Sequence, residues 1–155
     1  MKRIIGASLG MLVAITAPAR ASETVGRWLI QIDGGTCSAS TSLGGGYTLM
    51  AFARPPGGEN NGGLMFGNPG NWKIVDGPTV IELVGRGSLK GKHNAFGYAD
   101  LAGYFLPFGT VGELDEYPDT WQLRAIKDGK VLVDQPVTQF KAATSKLDAC
   151  AGKSG

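Results

Sequence analysis

The sequence predicts a mainly β protein, either an antiparallel β-sandwich or a flattened barrel, with one short C-terminal helix. Three observations support this fold class. Several short segments alternate apolar and polar residues with the period of two that is typical of strands. The 25 glycines and 8 prolines cluster between these segments, at plausible turns, and are too frequent for a helical bundle. Two pairs of segments also match each other in the register of an antiparallel hairpin.

The N-terminus has the composition of a secretory signal peptide, so we exclude it from the predicted fold. Two basic residues precede the apolar stretch 4–17, and Ala19-Arg20-Ala21 forms a small-x-small cleavage site. The apolar stretch is shorter than the roughly 20 residues that a membrane-spanning helix needs. Ser22 stands where a lipoprotein would carry a cysteine. We predict a signal peptide over 1–21 and one β-rich domain over 22–155, located in the periplasm or secreted.

Removal of the signal peptide changes the charge of the chain. The whole sequence has a formal net charge of +2, and the signal carries Lys2, Arg3 and Arg20 without any acid. The remaining 134 of the 155 residues therefore have a net charge of −1. This slightly negative balance gives no reason to expect a nucleic-acid partner. A chain of this length can bury the core of one domain.

The sequence contains two cysteines, Cys37 and Cys150. Paired cysteines form disulfides in the oxidising compartments that exported proteins reach. Cys37 follows the first predicted strand and Cys150 lies near the C-terminus, so a disulfide between them would enclose nearly all of the mature chain. In the chain-entropy model, a loop of this length contributes roughly 4 to 5 kcal/mol to stability.

The first predicted hairpin begins with the strand 28–32, in which Trp28, Ile30 and Ile32 share one face. With a loop over 33–36, Ile32 faces Cys37 and Ile30 faces Ala39. The cysteine then points to the apolar side of the sheet, where a protected disulfide belongs.

The middle of the chain supports shorter predictions. Residues 47–53 are apolar on both faces, which is typical of a central strand. A hairpin loop over 55–63 leads into a short strand at 64–66. Residues 94–106 are expected to hold one or two strands, and 107–117 a short helical turn.

A second hairpin is predicted around a loop over 76–79. In this register Ile74 faces Ile81 and Trp72 faces Leu83, while a lysine and a glutamate meet on the opposite side. A third hairpin is predicted around the loop Lys127-Asp128-Gly129, with the glycine in the left-handed conformation. That loop aligns Ala125 with Val131 and Leu123 with Val133.

The C-terminal segment predicts a helix that Thr138 can cap. Phe140, Ala143, Leu147 and Cys150 fall on one stripe at helical spacing. The disulfide would hold this stripe against the first hairpin. The predicted core consists of Trp28, Ile30, Leu49, Trp72, Ile74, Ile81, Leu83, Trp121, Leu123, Val133, Phe140 and Leu147.

These features together resemble a loose group of small exported proteobacterial proteins. The resemblance rests on a Trp-led first strand followed by a cysteine, the segment 68–77, a late Asp-Gly hairpin, and a final helix that ends in Leu147-Asp-Ala-Cys150. It implies a β-rich periplasmic or secreted domain with one long-range disulfide. It implies no activity and no catalytic residue.

The sequence contains no complete motif for phosphate binding, a catalytic triad or calcium binding. Residues 85–92 look like a phosphate loop, but their glycine spacing is wrong and His93 stands where Ser or Thr is needed. His93 and Asp100 do not belong to any recognisable triad signature. An acidic run lacks the spacing of a calcium loop: Glu113, Asp115, Glu116 and Asp119. We expect no catalytic residue, metal or cofactor.

One basic cluster remains, formed by Arg86, Lys90, Lys92 and His93 among several glycines. Its cations and exposed amides could bind an anionic envelope group. The favoured interpretation is a basic turn that keeps an exposed hairpin end soluble, because charged loops usually only solvate. We expect a noncatalytic envelope module that binds a protein or glycan. The alternative is a small periplasmic hydrolase that uses carboxylates brought together in space.

Overall fold

The computed structural model describes residues 21–33, 35–53, 62–85, 90–108 and 111–153. In these ranges the chain forms one antiparallel sheet of ten strands and one α-helix, which confirms the predicted mainly β fold and is consistent with a sandwich or flattened barrel. The elements are β1 (Ala21–Val25), β2 (Trp28–Asp33), β3 (Thr36–Ser42), β4 (Thr48–Ala53), β5 (Gly62–Gly67), β6 (Gly77–Val84), β7 (Gly91–Tyr98), β8 (Gly103–Phe108), β9 (Trp121–Lys127), β10 (Lys130–Val137) and α1 (Phe140–Lys153).

The spatial order of the strands is β1-β2-β3-β4-β5-β8-β7-β6-β9-β10. Two hydrogen bonds show that the sheet curls. The indole N–H of Trp28 in β2 donates to the carbonyl of Thr138, just after β10, at 2.9 Å. The hydroxyl of Tyr47, before β4, donates to the carbonyl of Leu132 in β10 at 3.2 Å. The first strands of the order therefore approach the last.

One buried cluster joins β2 to β10 and α1. The helix packs against β2, β3 and β4. Several inward-facing residues of β3 and β4 are small, and three of them are fully buried: Ala39, Ala51 and Ala53. Small side chains at these positions let the helix approach the sheet closely, as the close packing of protein interiors requires.

The first hairpin confirms the predicted register, with Ile30 opposite Ala39 and Ile32 opposite Cys37. The predicted disulfide joins Cys37 to Cys150 across 113 residues, with 6.2 Å between the Cα atoms. The sequence did not reveal the edge strand β1, which precedes this hairpin and pairs with β2.

The second predicted hairpin is wrong. Residues 72–75 form no strand, and β6 pairs with β7 and β9 instead. The reason lies in a compact turn at Asn68, whose carbonyl accepts the backbone N–H of Asn71 and of Trp72. Trp72 then packs its ring against Tyr47, Phe66 and Tyr104 rather than extending along the sheet.

The third hairpin is confirmed as an element, but its register is corrected. Asp128 and Gly129, at φ 51° and 75°, form a two-residue turn, and the ladder is irregular between Val131 and Val133. Val133 therefore lies opposite Ala125 rather than Leu123. A shift by an even number of residues preserves the face, so Leu123 and Val133 are both buried as predicted.

The helical stripe is confirmed, because Phe140, Ala143, Leu147 and Cys150 are all buried. The predicted cap is wrong. Phe140 is the first residue of α1. The backbone N–H of Phe140 donates to the backbone carbonyl of Asp119, and the backbone N–H of Lys141 donates to Oδ1 of the same residue. The cap comes from a residue that lies 21 positions before the helix starts.

The remaining predictions for the middle of the chain are mostly confirmed. β4 is an interior strand, 94–106 contributes to the two strands β7 and β8, and Val111–Leu114 forms a 3₁₀ turn. Of the predicted loop 55–63, residues 55–61 lie outside the described residues, whereas Gly62 and Gly63 belong to β5.

Most of the predicted core is buried. Trp72, Ile74 and Trp121 are the exceptions, because each of them is only half-buried. The sequence missed several fully or nearly fully buried side chains, among them Leu64, Phe66, Leu106, Leu114 and Val137. Within the described part of the chain, no helix is both long enough and apolar enough to cross a membrane.

Candidate binding surface

The outer face of the sheet carries a groove over β3. Because successive strand residues point to opposite faces, burial of Cys37 and Ala39 turns Ser38, Ser40 and Ser42 outward. Ser40 and Ser42 form a low floor between taller side chains on β2 and β4. The groove has a volume of about 500 Å³, within the range of ligand sites.

Cross-strand register extends the groove into a continuous row of side chains. Leu29 lies opposite Ser40, Ser40 opposite Met50, and Met50 opposite Met65. Met65 lies opposite Phe105, which lies opposite Phe96. We call this set the outer row: Leu29, Ser40, Met50, Met65, Phe105 and Phe96. It crosses six neighbouring strands and is apolar at every position except the serine.

Side chains beside the outer row widen the apolar surface. Phe52 packs edge-on against Phe105, with 6.1 Å between ring centroids, and Tyr98 packs against Phe96 at 5.0 Å. Leu101, which lines the groove, is 54% exposed. Leu29, Phe96 and Leu101 are exposed, whereas Met50, Met65 and Phe105 are half-buried. Contiguous apolar surface that solvent reaches marks interaction sites in proteins.

Gly63 allows the row to lie close to the sheet. A Cβ at this position would overlap with the ring of Phe105. The absence of a side chain thus lets Phe105 fold over β5 towards Phe52. Glycine is needed at position 63 for space and not for its backbone conformation.

The groove has little charge. Among the described residues that line it, Arg27 alone is charged, and the lining also includes hydroxyl groups from Ser40, Ser42 and Thr48. Apolar walls with a few polar groups are typical of binding sites, because apolar burial supplies affinity and the polar groups orient the ligand.

The predicted anion-binding loop is only partly described. Arg86 lies outside the described residues, and Lys90 precedes β7. Lys92 and His93 are consecutive in β7 and so point to opposite faces, with Lys92 opposite Glu82 and His93 opposite Ile81. The anion-binding role of this loop remains a prediction.

Two residues of the acidic run, Asp115 and Asp119, contact α1. Asp115 lies beside Asp148, and the pKa of Asp148 is raised above its ordinary 3.8 by partial burial and by the neighbouring Asp115. The Nζ of Lys141 donates to the carbonyl of Asp115. Among the described residues, no group of three or more His, Cys, Asp or Glu side chains could hold a metal ion.

Sequence reasoning found neither the outer row nor the carboxylate pair. The alternation of serines in β3 was a usable signal for the groove floor, since three serines on one face of a strand cannot form a core. The row itself depends on which strands are neighbours. Comparison of the chain with protein-family models, curated proteins and solved structures finds no match.

Proposed function

We propose that the protein is a noncatalytic module of the cell envelope that binds an apolar segment of a partner protein along the outer row. The observation that carries this proposal is the continuity of the row across six strands. Single apolar side chains scattered over a surface are common and need no explanation. A contiguous set of them is uncommon and indicates an interaction site.

The composition of the row favours a protein segment over a glycan. Met50 and Met65 supply flexible, polarisable side chains that adapt to varied apolar partners. Neighbouring strands lie about 4.8 Å apart, so six strands span about 24 Å. A helix of about 16 residues has this length. An amphipathic helix laid across the strands could therefore contact the whole row with one face.

The envelope location is the second part of the proposal. The Cys37–Cys150 disulfide agrees with an oxidising compartment. The signal peptide predicted over 1–21 would deliver the chain there. We propose a periplasmic or secreted protein.

Site-specific photocrosslinking tests the proposal. A photoreactive phenylalanine analogue is placed at Met65, and separately at Val131, which is 50% exposed on β10 and lies outside the row. In envelope extract, the Met65 probe should form one defined adduct and the Val131 probe should not. Mass spectrometry should map the adduct to an apolar segment of one protein.

A synthetic peptide of that segment then allows a direct binding measurement. It should bind the wild type and the Val131→Glu control equally, and Met50→Glu much more weakly, because a buried carboxylate would face an apolar partner. An adduct with lipid or with a second copy of this chain, or equal adducts at both positions, would contradict the proposal.

The hydrolase remains a second candidate, supported by the Asp115–Asp148 pair. Two neighbouring carboxyl groups, of which one has a raised pKa, are a known catalytic arrangement. Both side chains are exposed, however, whereas such pairs act in sheltered clefts. A screen of glycoside and peptide substrates should show activity that both Asp115→Asn and Asp148→Asn abolish; activity that survives in these variants would remove the candidate.

A further inference from the structure

A second cleft lies between the end of β6 and the start of β9. Its volume is about 400 Å³, and none of its lining residues lines the groove over β3. Trp121 forms one wall, next to Tyr117 and Pro118. The cleft is therefore a separate candidate site, with its own chemistry.

The indole of Trp121 is fixed by other rings. It packs against Tyr117 at 4.5 Å and against Phe140 at 5.3 Å between ring centroids. Tyr117 is 4% exposed and Phe140 is fully buried, whereas Trp121 is only half-buried. Trp121, which packs against the buried Tyr117 and Phe140, thus offers apolar surface to the cleft.

The Nε1 of Trp121 is buried and has no hydrogen-bond partner among the described residues. This N–H is closed to solvent, and because the residue as a whole is half-buried, the cleft exposes the carbon surface of the indole.

The other polar groups of the cleft are suited to hydroxyl ligands. The Nε2 of Gln122 donates to Asp134 at 2.7 Å, which orients the amide and leaves its oxygen as an acceptor. Thr120 contributes a hydroxyl. Burial, with a smaller effect of Glu116, raises the pKa of Tyr117 to about 12, so its phenol stays protonated.

We propose that this cleft binds a neutral sugar ring of a glycan, with an apolar face of the ring against Trp121 and sugar hydroxyls on Gln122 and Thr120. No charged residue is among the described residues that line the cleft, which fits a neutral ligand. A proline-rich peptide would require several exposed rings in sequence, and Tyr117 is too deeply buried to provide a second one.

The site and its ligand differ from those of the outer row, so either proposal can fail without the other. The three tryptophans provide a direct readout. Each has one indole N–H signal in a proton–nitrogen NMR spectrum, and that of Trp28 is already bonded to Thr138. The probes are three soluble oligosaccharides, built from N-acetylglucosamine, glucose or mannose, added to the oxidised protein.

We expect at least one oligosaccharide to shift the Trp121 indole signal saturably while the Trp28 and Trp72 signals stay in place. Gln122→Ala should weaken that binding by roughly five- to tenfold, the effect of losing one neutral hydrogen bond. Met65→Glu, in the outer row, should leave it unchanged. The indole signals of Trp28 and Trp72 in each variant report whether the fold is intact.

Three outcomes would overturn the proposal. The first is a Trp121 signal that none of the three oligosaccharides shifts. The second is a Trp121 signal that a proline-rich decapeptide shifts and the oligosaccharides do not. The third is sugar binding that Gln122→Ala leaves unchanged while Met65→Glu removes it, because the sugar would then lie on the outer row.

Discussion

Asp148 couples the stability of the protein to pH through one side chain. Asp148 is mostly exposed, and its partial burial together with the neighbouring Asp115 raises its pKa above the ordinary 3.8, so the folded protein disfavours the charged form. The contribution of Asp148 to stability is therefore complete below pH 3.8 and is lost as the pH rises through the folded-state pKa. At neutral pH the charged carboxylate lowers the free energy of unfolding.

We predict that Asp148→Asn raises the melting temperature at pH 7 and that this gain disappears below pH 3.8. Asp115→Asn should give a smaller gain at pH 7, because it removes the charge repulsion but leaves the burial of Asp148. Thermal unfolding from pH 3 to 8 measures both. A gain that is constant over this pH range would show that titration of Asp148 does not cause it.

Leu123 on β9 is fully buried, so its substitution tests the packing of the core. Leu123→Ala should lower the free energy of unfolding by roughly 2 to 5 kcal/mol, through lost burial and the cavity that remains. Val131→Ala, on the same hairpin but 50% exposed, serves as the control and should cost far less. Urea unfolding measures both. A small cost for Leu123→Ala beside a large one for Val131→Ala would mean that the hairpin faces are inverted.

At the element scale, α1 depends on a residue from another part of the chain. The first N–H groups of a helix lack partners within the helix, and Asp119 accepts two of them. A side-chain cap of this kind is typically worth about 1 kcal/mol. The same contact fastens the segment before β9 to the helix.

We therefore predict that Asp119→Ala destabilises the protein by about 1 kcal/mol, the usual cost of a lost cap. Asp119→Asn keeps an acceptor oxygen and should recover most of this loss. Urea unfolding gives the magnitudes, and amide hydrogen exchange at Lys141 locates the effect. An Asn variant as unstable as the Ala variant would assign the effect to charge rather than to capping.

At the scale of the whole molecule, the disulfide joins the first hairpin to the end of α1 across 113 residues. We predict that Cys37→Ser with Cys150→Ser lowers the free energy of unfolding by roughly 4 to 5 kcal/mol, mainly by releasing the unfolded chain. Unfolding of the double variant beside the oxidised protein measures this loss. A loss below about 1 kcal/mol would contradict the constraint that the chain-entropy model assigns to so long a loop.

The sequence by itself determined those features that a short stretch of residues specifies. Alternation identified the inward face of β2 and of β9, Asp128-Gly129 identified a tight turn, and helical spacing placed Cys150 on the buried stripe of α1. These predictions hold because the side-chain period of a strand or helix is a property of the backbone alone. Even the shifted register of the last hairpin kept Leu123 inside.

Tertiary structure decided which strands are neighbours. The order passes from β5 to β8 and returns through β7 to β6, and no local pattern encodes that choice, because an alternating strand can pair equally well with many others. The turn at Asn68 also removed residues 72–75 from the sheet. The outer row, the Trp121 cleft and the Asp115–Asp148 pair all join residues that are distant in the chain. Their geometry follows from this pairing and from the packing of α1, and for that reason the sequence alone did not reveal them.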